Sequence, residues 1–182
     1  KTSLLDMIVG LISPNSGTIK IDGCDINEIG EEKKFKFLYL PFIDAFKENL
    51  SVQDNIKIWG KLSSLKFNQK TLEKKLEYFE LLQLRDTYVG KLSQGQRKRV
   101  SLVKLLLSNC KLWLLDEPFN SLDKENMKKL KTLFLKHKAD GGSVLLASHI
   151  EMDFKKTKKI FIKSKKNIFK IDNNSNTWDS LG

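Results

Sequence analysis

The sequence predicts an α/β fold in which helices flank a layered sheet. Short apolar segments of strand length alternate with longer segments of helical periodicity, which is the pattern of such folds. One strand segment, Leu112–Leu115, is apolar at every position, as expected for a strand covered on both faces. The chain has 182 residues, of which 40% are hydrophobic, so it can build a core and is not a disordered chain.

The N-terminal part of the chain predicts a helix followed by short strands. Apolar residues recur at helical spacing over residues 4–12, and Pro14 ends the pattern. Thr18–Ile21 is predicted to be a strand, and the Asp22-Gly23 pair after it is a strong hairpin signal. The apolar run Lys36–Leu40 has the length of a further strand.

The middle of the chain, from about Val52 to Ser108, is mostly helical in pattern. Ser51 is a candidate cap for a helix that runs to about Lys61. A charged amphipathic helix is predicted from Asn68 to Leu84, and Ser93 precedes a helix that runs through Leu107. We interpret residues 52–108 as a helical subdomain inserted into the α/β core.

The α/β pattern then returns. Leu112–Asp116 is a predicted buried strand, Asp123–His137 a helix that Gly141-Gly142 ends, and Ser143–Ala147 the next buried strand. On this charged helix the His137 side chain is expected to be solvated.

The C-terminal residues, about 158–182, predict a Lys-rich hairpin and a polar tail. Strand-like runs at Ile160–Ile162 and Ile168–Ile171 alternate with lysines, which favours a solvated hairpin over a nucleic-acid patch or a surface for anionic lipid. The net charge of the chain is 33 − 22 = +11, which leaves these alternatives open.

Several features bear on the compartment. Cys24 and Cys110 form no C-x-x-C motif and are expected to be reduced thiols. The uncharged runs are far shorter than the roughly 20 apolar residues that span a bilayer. The sequence opens at Lys1 without Met or a signal peptide, so we expect that residues precede it. Frequent Lys, Asn, Ile and Phe suggest an A+T-rich genome, such as that of an organelle or endosymbiont.

Two short motifs point to phosphate chemistry. Lys1-Thr2 followed by a helix matches the last two positions of the P-loop G-x-x-x-x-G-K-[ST], in which Lys neutralises phosphates and the hydroxyl binds Mg²⁺. The glycines of that motif are not among the 182 residues, and an ordinary polar terminus is the alternative. At the end of the strand Leu112–Asp116, Asp116 would hold Mg²⁺ and Glu117 could act as general base for water. The alternative there is a core strand that ends in a solvated acidic pair.

The segment Leu92-Ser93-Gln94-Gly95-Gln96 decides between these alternatives. It resembles the L-S-G-G-Q signature of the ATP-binding subunits of ABC transporters. The order of the other motifs agrees: the signature precedes Asp116, Ser121-Leu122-Asp123 follows as the D-loop, and His149 follows the next strand as the switch histidine. The resemblance therefore covers most of the chain and implies a P-loop NTPase-type ABC ATPase core with a helical subdomain that carries the signature, as a single domain over residues 1–182.

The resemblance implies a homodimer in which each ATP lies between the P-loop of one subunit and the signature of the other. It also implies a role for each matched residue. By position, Lys1, Thr2, Ser93, Gly95 and Gln96 bind nucleotide, Thr2 and Asp116 bind Mg²⁺, Glu117 and His149 are catalytic, and Asp123 links the two sites.

Two positions depart from the family pattern. Gln94 replaces the first Gly of the signature. The Q-loop Gln, which in the family helps to hold Mg²⁺ and couples ATP to the membrane partner, should follow the strand Lys36–Leu40, but Pro41-Phe42-Ile43-Asp44 stand there. Gln53 comes too late in the chain to replace it.

Within the family, four segments resemble the haem-exporter ATPase of cytochrome c maturation: Phe37–Leu40, the helix with Asn55 and Trp59, Trp113–Phe119 and Gly141–His149. The resemblance implies a peripheral motor subunit that hydrolyses ATP with Mg²⁺ and binds polytopic membrane subunits, with no nucleic acid expected. It would work at the matrix face of a mitochondrial inner membrane or the cytoplasmic face of a bacterial inner membrane. The alternatives are another transport system, a non-transport ABC protein acting on nucleic acid or ribosomes, or a degenerate domain that binds nucleotide without turnover.

Overall fold

The computed structural model describes residues 1–21, 23–26, 37–150, 157, 158 and 160. The chain divides into a large unit, Lys1–Met152, and a small one, Asp153–Gly182. The predicted hairpin at about 158–182 lies almost entirely outside the described residues. The single domain over residues 1–182 and the limits of the helical subdomain stay predictions.

A three-stranded parallel sheet forms the centre of the large unit. Its strands, in the order β3-β4-β5, are β3 (Phe37–Leu40), β4 (Leu112–Asp116) and β5 (Ser143–Ala147). Leu40 pairs with Leu115, and Asp116 pairs with Ala147, so the carboxyl ends of the strands lie at one edge. The predicted strands at 112–116 and 143–147 are confirmed, and so is the strand at 36–40 over residues 37–40, since Lys36 lies outside the described residues.

Helices cover both faces of this sheet, as the apolar run Leu112–Leu115 in β4 predicts. On one face, helix α1 (Thr2–Ile8) packs Leu5 against Leu114 and Ala147. On the other face, Trp113 meets Phe134 of helix α5 (Lys124–Ala139), with ring centroids 6.3 Å apart. The α/β layering predicted from the sequence is therefore confirmed.

His137 corrects one expectation. Its ring is half-buried and stacks on Trp113, with centroids 3.6 Å apart and planes 8° from parallel. His137 Nε2 donates a hydrogen bond to the Lys111 carbonyl at 3.0 Å, and the ring lies so close to Gly142 that a Cβ there would clash with it. Burial lowers the pKa of His137 below its ordinary value. The helical pattern of α5 could not reveal this contact, because Trp113 belongs to the neighbouring strand.

Residues 52–107 contain three α-helices. Ser51 and Ser93 are the predicted caps of two of them, and Asn68, the predicted first residue of the third, is its cap. Ser51, Asn68 and Ser93 accept hydrogen bonds from backbone N–H groups at the start of their helices, as N-cap side chains do. The helices are α2 (Val52–Leu62), α3 (Gln69–Tyr78) and α4 (Gln94–Leu107).

Two helices end earlier than predicted, and both end in the same backbone motif. Helix α1 stops at Ile8 because Gly10 adopts φ +78°, while the N–H of Leu11 bonds to the Asp6 carbonyl. Helix α3 stops at Tyr78 rather than Leu84, with Glu80 at φ +57° and the N–H of Leu81 bonded to the Leu76 carbonyl. Both are Schellman endings.

The predicted N-terminal hairpin is present but short: β1 (Lys20–Ile21) pairs antiparallel with β2 (Cys24–Asp25). Within the described residues, the structure contains no helix of the length and apolar character that would cross a membrane.

Candidate functional site

A pocket of about 520 Å³ lies at the carboxyl edge of the parallel sheet, where β4 ends and the chain leaves β5. The sheet brings together residues that are far apart in the chain, because parallel strands deliver their carboxyl ends to one edge. The pocket is lined by Lys1, Thr2, Phe42, Asp116, Glu117, Asn120, His149 and Ile150. Five of the nine site residues predicted from the sequence are among them: Lys1, Thr2, Asp116, Glu117 and His149.

Thr2 and Asp116 form one side of the pocket. Thr2 Oγ1, in the first turn of α1, donates a hydrogen bond of 2.7 Å to Asp116 Oδ2. Asp116 is the last residue of β4 and is 2% exposed. A hydroxyl and a carboxylate oxygen in contact are hard oxygen donors, and Mg²⁺ is usually held by such a carboxylate together with phosphate oxygens and water. The residues present therefore fit Mg²⁺.

The Lys1 ammonium contacts the two residues that follow β5. Lys1 Nζ donates a hydrogen bond of 2.7 Å to the Ser148 carbonyl and lies 3.4 Å from His149 Nδ1. The cation is thus already placed at the pocket that holds Asp116 and Glu117, where it is available to an anionic ligand.

The side chains of Glu117 and His149 lie next to each other in the pocket. His149 Nε2 lies 3.6 Å from Glu117 Oε1, and Glu117 Oε2 accepts a hydrogen bond of 3.2 Å from Ser148 Oγ. The backbone of Glu117 has φ +44°, and its N–H donates to the Ala147 carbonyl at 2.8 Å. This arrangement places a carboxylate and an imidazole side by side in the pocket.

Tyr39 lies beside this acidic edge and stays protonated. Its hydroxyl donates a hydrogen bond of 2.7 Å to Asp6 Oδ1. The pKa of Tyr39 is raised far above its usual range, first by burial, then by the bond to Asp6 and by the charges of Asp6 and Asp116. Tyr39 therefore acts as a hydrogen-bond donor that fixes α1 to β3.

The signature residues are not part of the pocket lining. Ser93 caps α4 with a capping box, in which its Oγ accepts from the Gln96 N–H and the Gln96 side chain accepts from the Ser93 N–H. A Cβ on Gly95 would stand 2.8 Å from the Ser121 carbonyl oxygen, so only glycine fits there without a shift of that backbone. The start of α4 thus packs directly on the loop that carries the predicted D-loop.

Asp123 is also outside the pocket. It is the N-cap of α5, and its side chain accepts from the Asn126 N–H at 2.8 Å. The backbone and side-chain hydrogen bonds of Asn126 lower the pKa of Asp123. The structure of one chain gives Asp123 a capping role, while its predicted role between two sites stays a prediction.

Residues 41–50, which we call the pocket loop, take the place of the expected Q-loop. Phe42 from this loop lines the pocket, and Ile43 is exposed. Gln53 lies away from the pocket on α2, where its side chain bonds Asp86, Lys57 and Gln69. The expectation that Gln53 does not replace the Q-loop Gln agrees with this position.

Sequence reasoning did not assign a role to Phe42, Asn120, Ser148 or Ile150. Ser148 could have been noticed, because it stands between the strand β5 and the predicted site residue His149. Phe42, Asn120 and Ile150 carry no signal in the sequence, since an apolar or amide side chain in a loop has no spacing rule.

Comparisons with known proteins converge on one family. Residues 1–120 match the family model described as ABC transporter. The chain is 39% identical over 160 residues to the cytochrome c biogenesis ATP-binding export protein CcmA of Histophilus somni, covering 88% of this chain and 74% of that protein. It is 34% identical to the CcmA of Pasteurella multocida, covering 91% and 78%.

The fold gives a consistent result. The solved structure of an ATP-binding protein of an ABC transporter from Pyrococcus furiosus matches with a TM-score of 0.71 and 30% identity, covering 84% of this chain and 74% of that one.

Proposed function

Since the chain belongs to the ABC transporter family of ATP-hydrolysing subunits, we propose that its pocket binds ATP with Mg²⁺ and hydrolyses it to drive a membrane partner. The observation that supports this most strongly is the convergence of Lys1, Thr2, Asp116, Glu117 and His149 on one pocket. These residues come from the chain terminus and from the ends of two strands.

Three of the residues bind the phosphates and the metal. Lys1, whose ammonium lies at the pocket edge, offsets the negative charge of the β- and γ-phosphates. Thr2 Oγ1 and Asp116, which are already in contact, would hold Mg²⁺ directly or through water. When bound, the metal neutralises charge that develops on the phosphate oxygens during transfer.

Glu117 and His149 carry the chemical step. Glu117 accepts a proton from the attacking water, whose oxygen forms a bond to the γ-phosphorus as the bond to the ADP oxygen breaks. His149 lies 3.6 Å from Glu117 Oε1 and is 83% exposed at its side chain, so it can contact the γ-phosphate on the open side of the pocket. Ser148 holds the other carboxylate oxygen of Glu117 by a hydrogen bond.

The signature completes the site from a second copy of the chain. Ser93 is exposed and Gly95 and Gln96 are half-buried at the start of α4, outside the pocket of their own chain. The N-terminus of α4 carries free N–H groups and the positive end of a 14-residue helix, which favour a phosphate. A head-to-tail homodimer would place these residues over the nucleotide of the partner, with Asp123 between the two sites.

We further propose that the transported cargo is haem and that the process is cytochrome c biogenesis. This proposal is supported by the similarity to CcmA proteins over most of the chain. The membrane partner is then a set of polytopic subunits, and the chain is a peripheral protein on the cytoplasmic face of a bacterial inner membrane. The two relatives are bacterial, so the mitochondrial alternative receives no support from them.

A complementation assay tests this function. We expect the full-length gene product to hydrolyse ATP and to restore covalently haem-bearing c-type cytochromes in a bacterium that lacks its own CcmA. The Glu117→Gln variant, produced at the same level, should do neither. ATP hydrolysis without restored cytochromes would favour another transport system, whereas RNA binding with a steep salt dependence would favour the nucleic-acid alternative. Absence of ATP hydrolysis would contradict the proposal as a whole.

A further inference from the structure

A cluster of buried charges joins the pocket loop to helix α4. Asp44, in the loop, has a side chain that is 9% exposed, and it lies 4.0 Å from Lys104 Nζ. Asp44 Oδ1 also accepts a hydrogen bond from the hydroxyl of Ser101, which is fully buried. Lys98, on the same helix and also buried, interacts electrostatically with Asp44. Two side chains of α4, Ser101 and Lys104, therefore lie on one loop carboxylate, and the charge of Lys98 acts on it as well as on Asp116 and Glu117.

Burial and charge act in opposite directions on the pKa values of this cluster. Burial raises the pKa of Asp44, and the bond from Ser101 and the charges of Lys104 and Lys98 oppose that shift. Burial lowers the pKa values of Lys98 and Lys104, and the Asp44 charge opposes both shifts. A buried ion cluster costs desolvation energy when it forms, and it becomes unfavourable once one partner is removed.

The other end of the pocket loop has a separate attachment. Asn55 of α2 accepts from the Lys47 N–H at 2.9 Å and donates to the Lys47 carbonyl at 3.0 Å. The Lys104 ammonium also lies 4.8 Å from the centroid of the Phe46 ring. The part of the loop that carries Phe42 is therefore held to α4 through Asp44, and the later part contacts both α2 and α4.

We propose that Asp44 is a positioning residue that holds the pocket loop on α4. Through this contact, Phe42 and the start of α4, which carries the signature, keep a fixed relative position during ATP hydrolysis. The proposal rests on the proposed function, because it assigns Asp44 a part in the same site. Asp44 is not among the pocket-lining residues, and its Oδ1 faces α4. It therefore does not replace the absent Q-loop Gln as a metal ligand but acts through Phe42 and the helix.

The Asp44→Asn variant of the full-length protein isolates the charge. Asparagine keeps the shape and can still accept the bond from Ser101, but it leaves Lys104 without its buried counter-charge and removes one of the three carboxylates that act on Lys98. We expect kcat for ATP to fall by about 10- to 100-fold, since a misplacement of about 1 Å remote from the chemistry can cost about 10²-fold. KM should stay within about twofold, because Lys1, Thr2 and Asp116 are untouched. Asp44→Glu, which keeps the charge, should recover most of kcat.

Glu48→Gln is the matched control. Glu48 lies in the same loop and pairs with Arg97 of the same helix at 2.9 Å, but it is 69% exposed at its side chain. Solvent and salt screen such a pair, so its loss should leave kcat unchanged.

A second variant and a second measurement guard against misfolding. Asp44→Asn should lower the melting temperature, because it leaves the buried Lys104 charge unpaired. Combined with Lys104→Met, it removes one charge of each sign, so the melting temperature should recover while kcat stays low. Hydrogen exchange should show faster exchange of the pocket-loop amides in Asp44→Asn than in Glu48→Gln. If Asp44→Asn has the kcat of the parent, alone and combined with Lys104→Met, or if the exchange rates are unchanged, Asp44 does not position the pocket loop. A parent protein that does not hydrolyse ATP contradicts the proposed function instead.

Discussion

Glu117 occupies the most constrained position in the pocket. Its φ of +44° is uncommon for a residue with a side chain, and such conformations cost on the order of 1–3 kcal/mol. The surrounding contacts hold it there: its N–H bonds Ala147, and its carboxylate lies between Ser148 Oγ and His149 Nε2. We infer that this backbone geometry is retained because it presents the carboxylate to the pocket.

The first prediction concerns this carboxylate. Glu117→Gln keeps size and hydrogen-bonding reach but cannot accept a proton, and loss of a general base typically costs about 10²–10⁴-fold in rate. We expect phosphate release by the full-length protein to fall by that factor, while a fluorescent ATP analogue binds with unchanged affinity. Glu125→Gln is the control, because Glu125 is an exposed carboxylate of α5 that pairs with Lys129. Phosphate release at the parent rate in Glu117→Gln would show that another group is the base.

The second prediction separates the two roles of Ser93, as a helix cap and as a nucleotide contact. Ser93→Ala and Asn68→Ala each remove an exposed N-cap, so each should lower stability by about 0.5–2 kcal/mol. Only Ser93→Ala should also lower ATPase activity, because Asn68 caps α3 and the signature belongs to α4. Chemical denaturation and phosphate release measure the two effects. Equal activity in the two variants would leave Ser93 a cap and no more.

At the scale of elements, the strands and helix starts were predictable and some helix ends were not. Strand β4 ends at the polar residue Asp116, and the pair Gly141-Gly142 precedes strand β5. Ser51, Asn68 and Ser93 have side chains that cap helices. The end of α3 was missed because a Schellman ending usually has glycine at its left-handed position, and this one has Glu80. The Glu80 carboxylate pairs with Lys129 and Arg99 from other elements, which no local pattern reveals.

The candidate site likewise contains residues that could be predicted from the sequence and residues that could not. Residues with a motif, such as Asp116 and His149, could be predicted because the motif fixes their place at the end of a strand. The buried cluster around Asp44 could not, since it depends on the packing of a loop against α4. Lys98 and Lys104 follow the signature in a helix whose pattern gives no sign that two of its lysines are buried.

The third prediction concerns the packing of α5 on the sheet through His137. Burial lowers the pKa of His137 below its usual value of about 6.5, so the unfolded chain binds the proton more readily than the folded chain. The stabilising effect of the neutral ring is fully present above about pH 6.5 and is lost as the pH falls towards the folded pKa. We therefore expect the melting temperature to fall between pH 7.5 and 5.5.

Substitutions of the two histidines provide the comparison, since the chain contains only these two. His137→Phe keeps an aromatic ring on Trp113 but cannot titrate, so the melting temperature should depend less on pH over this range. His149→Gln should keep the dependence of the parent, because His149 is 83% exposed at its side chain. The same pH dependence in His137→Phe as in the parent would assign the effect to other groups.

At the scale of the whole molecule, the predicted site residues lie at two separate places in one chain. Five of them line the pocket, while Ser93, Gly95 and Gln96 lie outside it at the start of α4. Gly95 packs on the backbone of Ser121, and Asp44 links α4 to the pocket loop. In the proposed dimer, both contacts would link the start of α4 to the surroundings of the pocket in the same chain and so couple the two nucleotide sites.

The central claim is that ATP is hydrolysed in a site built from two copies of the chain. The most direct measurement is the molar mass of full-length Glu117→Gln, by size-exclusion chromatography with light scattering, with and without ATP and Mg²⁺. Because this variant binds ATP but does not cleave it, we predict a monomer without ATP and a dimer with it. Adding Ser93→Arg, which places a bulky cation at the start of α4, should restore the monomer. A Glu117→Gln protein that binds ATP and stays monomeric, or a dimer that Ser93→Arg leaves intact, would contradict the composite site.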